Sequence, residues 1–520
     1  MKKTALLLSL VTLVGAGTLA SCNGNGGDST GDESITLTFW TRNGTASYYT
    51  NLIEAFETAY PNIHVEAEDA GEYGEIDQKI SQGIAVGNLP NLAITYPDYV
   101  AGYLKSAPGR VLEMSQYMTD PEVGFGQNDP VITYEGEQIQ LHTDADDMIA
   151  QYLDEGRNFT IDGEKVEGQY ELPLSKSTEM LFVNRTILTD LADSLSVTYD
   201  SIKEKLATWE GVWEVCEQLK AYDAAKWNGT PADTNHGRAP LIYEDDTNFY
   251  ITLTQQLGLP YVDGAAENPV LFGAGQGKTQ TRALLQNLAT KYNSGLFVTG
   301  ATAGQGDDYY ATSGFANSDG AMIITTTAGL SWLNNYDTEG YENFPIDVLP
   351  MPASSTDWVS GTALSADANP DAVISQGPGV VCFSTGDEAV NEATWLFYKT
   401  ITSDFLNAQW VAAGTYAPVR QSVYETETFE NMFTIPTESD TPKYDQVFYP
   451  AKRAMYDVIE TYNENEMTYT TDVFPGSGGV RNAAGGLLPG VINSENNTDV
   501  ATIDSLIDQY YNAAIEELPL

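Results

Sequence analysis

The sequence predicts an α/β protein, and three observations carry that expectation. Residues 35–96 alternate between strand and helix periods, and apolar strand segments recur later in the chain between long amphipathic stretches. Composition agrees: 42% hydrophobic against 19% charged residues suits packed layers better than a disordered chain. With 520 residues there is room for two or three ordinary domains, or for two large interwoven lobes.

The first segment stands apart from that fold. "MKKTALLLSLVTLVGAGTLASC" sets Lys2 and Lys3 before a mainly apolar run and then small residues. That is the pattern of a secretory signal, too short for a permanent transmembrane helix. Its end, "LASC", resembles the bacterial lipobox, which implies a signal peptide over 1–21 and acylation of Cys22 as the first mature residue. Residues 22–34, rich in Gly, Ser and Asp, read as a flexible tether.

The α/β pattern then opens with "SITLTFW", where Ile35, Leu37 and Phe39 alternate as a strand should. "SYYTNLIEAFETAYPNI" carries Tyr49, Leu52, Ile53, Phe56 and Tyr60 at helical spacing and stops at Pro61. "HVEAED" is a second strand, "GEIDQKISQGIAVGNLP" a helix ending at Gly87, and "NLAITY" a third strand. Strand, helix, strand, helix, strand predicts a lobe with a mainly parallel sheet.

Residues 120–170 are polar and irregular, with "TYEGEQ" and "TIDGEK" as hairpin turns. "LPLSKSTEMLFVNRTIL" restores a buried strand, and "TWEGVWEVCEQLKAY" is a helix begun by a Thr cap. "GAMIITT", "IDVLPMP" and "GVVCFST" are further strands. Residues 388–414 read as helical throughout, "DSLIDQYYNAAIEEL" closes the chain with a helix, and no internal repeat is visible. "DVFPGSGGVRNAAGG" (472–486) reads as a flexible, donor-rich loop around a single guanidinium, Arg481.

Charge narrows the partners. Asp and Glu number 73 against 24 Lys and Arg, a formal net charge of −49. Nucleic acid is excluded, because phosphate binding needs clustered Lys and Arg, and so is lying flat on anionic lipid. Apart from Cys22, the cysteines are Cys216 in an apolar helix and Cys382 in an apolar strand. They read as buried thiols in place of a disulfide framework, with a bridge between the two left open.

Several motifs fail on inspection. "GAGQGKT" lacks the first glycine of a phosphate-binding loop, since Phe272 stands there, and marks the start of the helix "TRALLQNLATKY". "GDSTG" matches a nucleophile elbow but lies in the tether. "DADDMIAQYLDE" has Ile149 where a calcium loop needs Gly. His64, His142 and His236 show no zinc spacing. No metal, no cofactor and no catalysis are therefore expected.

Taken in order, "FETAYPNIHVE", "PNLAITYPDY", "LPLSKSTEMLFVNR", "TWEGVWEVCEQLKA", "GAMIITTTAGLSWL", "DVLPMP" and "ATWLFYKTITSDFLNAQWVAAGTYAPVRQSVYE" resemble the family 1 extracellular solute-binding proteins. These are receptors of ABC importers for sugars and related polyols. The resemblance runs from about residue 35 to the C-terminus, and no single motif decides it. It implies the two-lobed, periplasmic-binding-protein-like (type II) fold with hinge-linked lobes. The N-terminal lobe would be 35–172 with a return segment 347–395, and the second lobe 173–346 and 396–520. It also implies a monomer that captures a small-molecule solute, hands it to an ABC permease, and sits lipid-anchored through Cys22 outside the cytoplasmic membrane. The competing classes are a secreted glycan-active enzyme and a carbohydrate-binding adhesin.

Sugar binding uses aromatic faces with short polar side chains. Trp40, Tyr73, Tyr96, Trp332, Trp358 and Tyr416 stand beside turn residues, although core or surface packing explains any one of them better than ligand stacking does. The resemblance, nearest to glycerol-phosphate receptors, implies ligand contacts from Tyr73, from Ser177 in "LSKST", and from Thr326 or Thr327 in "AMIITTTAG". It adds Gly377 in "SQGPG", Tyr416 in "TYAP" and Arg481. Where that subfamily has a glutamate, this chain reads "TYPDYV", so Pro97 or Asp98 falls there and Asp98 is the candidate. Arg481 could clamp an anion, or could neutralise a carboxylate or hold the lobes together. The ligand stays open between a neutral sugar and a phosphorylated polyol such as glycerol-3-phosphate.

Overall fold

Alternating apolar residues from Ile35 to Phe39 place β1 (Ile35–Thr41) at the centre of a parallel trio with β2 (Ile63–Asp69) and β3 (Leu92–Thr95). Their connections are α1 (Ser47–Ala59) and α2 (Tyr73–Val86), and α3 (Pro97–Ser106) follows β3. The computed structural model describes residues 34–42, 44, 46–227, 237–303, 310–334, 343–437 and 442–519. The signal segment, Cys22, the tether through residue 33 and His236 lie outside the described residues.

Two hairpins follow, β4 (Val131–Tyr134) with β5 (Glu137–Gln140) and β6 (Phe159–Ile161) with β7 (Glu164–Val166). Both turn where the sequence places an acid–Gly pair. The chain then runs through β8 (Leu172–Pro173) into β9 (Ser177–Asn184), every residue of which is buried. Later strands are β10 (Leu241–Tyr243), β11 (Phe297–Thr299), β12 (Met322–Thr326), β13 (Ile346–Leu349), β14 (Val373–Gln376), β15 (Gly379–Cys382) and β16 (Thr468–Tyr469).

These strands form two separate main sheets. One has the order β2-β1-β3-β15-β8. The other has the order β11-β10-β12-β9-β14-β16, with β13 also on β9. Each sheet has its own core: Phe39, Phe56, Val381, Trp395 and Phe397 in the first, Phe182, Trp209, Phe249, Ile323 and Tyr462 in the second. Cys382 belongs to the first core and Cys216 to the second, and both are free thiols. The molecule is a two-lobed α/β protein.

The lobes are joined where β8 leads to β9, where β14 leads to β15, and where Lys176 and Ala417 exchange backbone hydrogen bonds. Gly377 sits at the second crossing with φ +94, and a Cβ there would stand 2.5 Å from the Ser175 carbonyl oxygen. Only glycine lets the crossing strands come so close.

Three expectations need correction. The return to the first lobe begins at β15 and not at residue 347, because β13 and β14 pair with β9 in the second sheet, and it runs past residue 395, since Phe397, Ile401 and Leu406 pack in the first core. The segment 388–414 is two helices, Glu388–Ile401 and Asp404–Ala412, broken at Thr402 and Ser403. Residues 477–485, expected as loop, are a helix, Ser477–Gly485. Its glycines are contact points: Gly485 meets Thr247, Gly479 meets Glu517, and Gly478 meets the Tyr99 ring. Among the described residues no helix is long and apolar enough to cross a membrane.

Candidate functional site: an aromatic cavity and a charged cavity at the lobe junction

In parallel α/β sheets the space outside the carboxyl ends of the strands is where ligands bind. Here the ends of β1, β2 and β3 release Arg42, Asp69 and Tyr96 beside the crossing strands. Two cavities open there. The larger, about 490 Å³, is lined by Arg42, Tyr48, Tyr49, Tyr73, Trp410 and Tyr416, with Asp69, Glu72 and Glu75 at its edge and Ser175 and Pro378 from the crossings.

Its walls are aromatic and tightly braced. The Trp410 ring lies 4.9 Å from Tyr48 and 5.2 Å from Tyr49, both edge-on, and Tyr73 lies 4.7 Å from Tyr96. Burial raises the phenols of Tyr49, Tyr73 and Tyr416, so all three are neutral hydroxyls at any physiological pH. The one cation is already matched: Arg42 Nε is 2.7 Å from Glu72 Oε2. The cavity therefore offers ring faces, hydroxyls and carboxylates. It offers no free positive charge.

The smaller cavity, about 260 Å³, is lined by Tyr96, Asp98, Glu155, Lys176, Asp245, Gly377 and Arg481 among others. Lys176 is pinned between Glu155, at 2.5 Å, and the Gly377 carbonyl, at 3.2 Å. Arg481 donates to Asn248 Oδ1, which also accepts from Gln376. Asn248 in turn donates to the buried Glu179 carboxyl at 3.0 Å. Across the cleft, Ser477 reaches the Asp98 carboxylate at 3.3 Å, so this side of the junction is bridged. Burial raises the Asp98 pKa, while Arg481 and Ser477 pull it back down.

Of the residues singled out in the sequence, Tyr73 and Tyr416 line the aromatic cavity, and Asp98, Gly377 and Arg481 line the charged one. Ser177 and Thr327 are buried against each other, their hydroxyls 2.8 Å apart. Thr326 ends β12 and lines neither cavity. Trp40 lies on β1 with its indole nitrogen donating to Glu68 at 3.1 Å, and Trp332 is 70% exposed; neither lines the two cavities.

Sequence reasoning missed Tyr48, Tyr49 and Trp410 as wall residues. Tyr49 satisfies the helical apolar pattern of α1, so it counted as core. Trp410 is hidden the same way, because a half-buried indole on an apolar helix is indistinguishable by spacing from a core residue. The one available signal was the pair Tyr48–Tyr49 in the first turn of the helix that follows β1, the place where such lobes hold ligands.

Two lobes, crossing strands and an aromatic cavity at their junction define a periplasmic-type binding protein. The chain belongs to the bacterial extracellular solute-binding protein family, whose family model matches residues 51–437. Solved structures with the same fold include UgpB from Mycobacterium tuberculosis in complex with glycerophosphocholine, at 15% identity and a TM-score of 0.61 over 93% of this chain and 99% of that one. The sugar-binding protein MalE from Xanthomonas citri is 15% identical with a TM-score of 0.63, covering 93% of this chain and 98% of that one. The GacH receptor of Streptomyces glaucescens, solved unliganded and with acarbose, is 16% identical with a TM-score of 0.58, over 93% and 99%. No curated protein matches the sequence.

Proposed function

We propose that the protein is the receptor of an ABC importer and captures a carbohydrate whose rings are uncharged where they meet the aromatic cavity. The observation that carries this is the wall of Tyr48, Tyr49, Tyr73, Trp410 and Tyr416 beside three carboxylates and one already paired arginine. Sugar rings present C–H faces to aromatic rings and hydroxyls to carboxylates and phenols. A phosphate in the same cavity would meet net negative charge. Structural neighbours bind solutes of this kind: MalE is a sugar-binding protein, and GacH was solved in complex with acarbose. Closing the hinge around the solute would present it to a membrane permease, with Cys22 as the lipid tether on the outer face of the cytoplasmic membrane.

A thermal-shift screen against neutral oligosaccharides, glycerol-3-phosphate and glycerophosphocholine tests the reading. A ligand at 100 times its Kd adds about 2.7 kcal/mol. A neutral oligosaccharide should stabilise the parent, and Tyr73→Ala or Trp410→Ala should each weaken binding by about 1.5–3 kcal/mol, the scale of burying one large apolar side chain. Arg481→Ala should leave sugar binding intact. The second reading, a phosphorylated polyol held by Arg481, replaces the first if glycerol-3-phosphate stabilises the parent and not Arg481→Ala. Turnover of a chromogenic glycoside would instead point to a glycan-active enzyme.

A further inference from the structure

Four cations are buried among the described residues: Lys176, Lys399, Arg420 and Lys452. Three have a carboxylate partner, Glu155 at 2.5 Å, Asp129 at 2.9 Å and Asp147 at 3.4 Å. Lys452 is the exception. The residue is only 4% exposed, and its Nζ donates at 3.3 Å to the Ala412 carbonyl. Among the described residues no carboxylate lies within ion-pair distance of it. Burying a charge without a partner is costly, and in a chain with 73 acidic residues a partner would be easy to supply.

Lys452 lines a cavity of about 560 Å³ behind the helix Asp404–Ala412. No Asp or Glu lines that cavity, in contrast to both cavities at the lobe junction. Its other walls mix hydroxyls and amides with rings: Ser331, Thr428 and Asn431 beside Phe448 and Tyr449. Shared wall residues also relate it to the aromatic site. A cavity of about 340 Å³ lies between them, sharing Tyr48 and Trp410 with the aromatic one and Gln409, Ala412 and Ala413 with this one. No carboxylate lines the connecting cavity either. The successive residues Thr415 and Tyr416 face the two ends. Burial brings the Lys452 ammonium down to about 8, which leaves it mostly charged at neutral pH.

We propose that the cavity behind this helix receives the anionic end of an extended oligosaccharide, a uronate or comparable carboxylate-bearing sugar, with the Lys452 ammonium as its counter-ion. The inference rests on the carbohydrate reading and extends it: uncharged rings occupy the aromatic cavity, the chain runs over Gln409 and Ala413, and the carboxylate completes the ion pair that the protein leaves open. A charge-assisted hydrogen bond to the ammonium is stronger than a neutral one.

The test compares the full-length protein with Lys452→Met, which keeps the side chain's reach and removes its charge, by calorimetric titration. The probes are maltotriose, cellotriose and xylotriose, set beside trigalacturonate and glucuronic-acid-capped xylotriose. The parent should bind an acid sugar about tenfold more tightly than any neutral one. Lys452→Met should lose that preference, bind neutral sugar as the parent does, and melt no lower without ligand. Asn431→Asp, which brings a carboxylate into the same cavity, should weaken the acid sugar alone. If Lys452→Met binds acid sugars as tightly as the parent, or if the parent binds neutral sugars and no acid ones, the proposal is wrong while the carbohydrate reading stands. If no sugar of either kind binds, both are wrong.

Discussion

Glu179 is fully buried in the middle of β9, and its carboxyl accepts from the Tyr243 hydroxyl and from Asn248. Burial, helped by Asp245, pushes its pKa up to about 8 against the pull of Tyr243, Asn248 and Arg481. The native state therefore keeps a proton that the unfolded chain has released between the ordinary carboxylate range and about 8. More protons on the folded side make stability fall as pH rises through that window, by at most about 1.4 kcal/mol per pH unit from this group. Glu179→Gln removes the titration and keeps a donor and an acceptor in place. Urea unfolding should show the variant gaining on the parent steadily from about pH 5 to about pH 8, with a constant difference below that window. A difference that does not change with pH would mean that the folded carboxyl ionises normally. The same carboxyl is linked through Asn248 to Arg481 of the smaller cavity.

The helix Ser477–Gly485 shows what local pattern omits. Each glycine costs a helix about 1 kcal/mol relative to alanine, which is why the stretch reads as a loop. Packing reverses the sign, because missing Cβ atoms let neighbouring helices close in. A Cβ on Gly485 would stand 2.2 Å from Thr247 Oγ1 and 3.2 Å from its Cβ, so Thr247 would have to turn its hydroxyl away and still sit too close to the new methyl. Gly485→Ala should therefore destabilise by about 1–3 kcal/mol despite its better propensity. Gly102→Ala in α3, where nothing lies within 4 Å, should stabilise by about 0.5–1 kcal/mol. Chemical denaturation of both variants measures the pair, and equal shifts would show that propensity alone governs these positions. Elements with strong periods, β1 to β3 with α1 and α2, were legible because their own burial pattern defines them. The assignment of β13 and β14 to the second sheet was not, since pairing with β9 is decided by partners far away in sequence.

At the scale of the molecule, the aromatic site joins residues from Arg42 to Tyr416, and only the order of motifs hinted at that assembly. Tyr73 and Tyr416 could be named only through the family resemblance, whereas Tyr48, Tyr49 and Trp410 become wall residues only when α1 and the Asp404–Ala412 helix meet. The excess of acids was plain from composition, and the fold shows how it is managed. Three of the four buried cations are spent on carboxylates at or near the lobe junction and hairpins, leaving most acids on the surface. A net charge of −49 then repels itself over the whole surface. Exposed pairs such as Arg42–Glu72 return little, typically up to about 1 kcal/mol each, and screening weakens them too. Repulsion among the excess acids outweighs these pairs, so added salt should stabilise. The screening length falls from about 30 Å at 0.01 M salt to about 10 Å at 0.1 M, so most of the gain should come within that range. The melting temperature in sodium chloride should climb by a few degrees there and level off above it. A falling curve would mean that surface ion pairs, and not the acid excess, dominate the electrostatics of this protein.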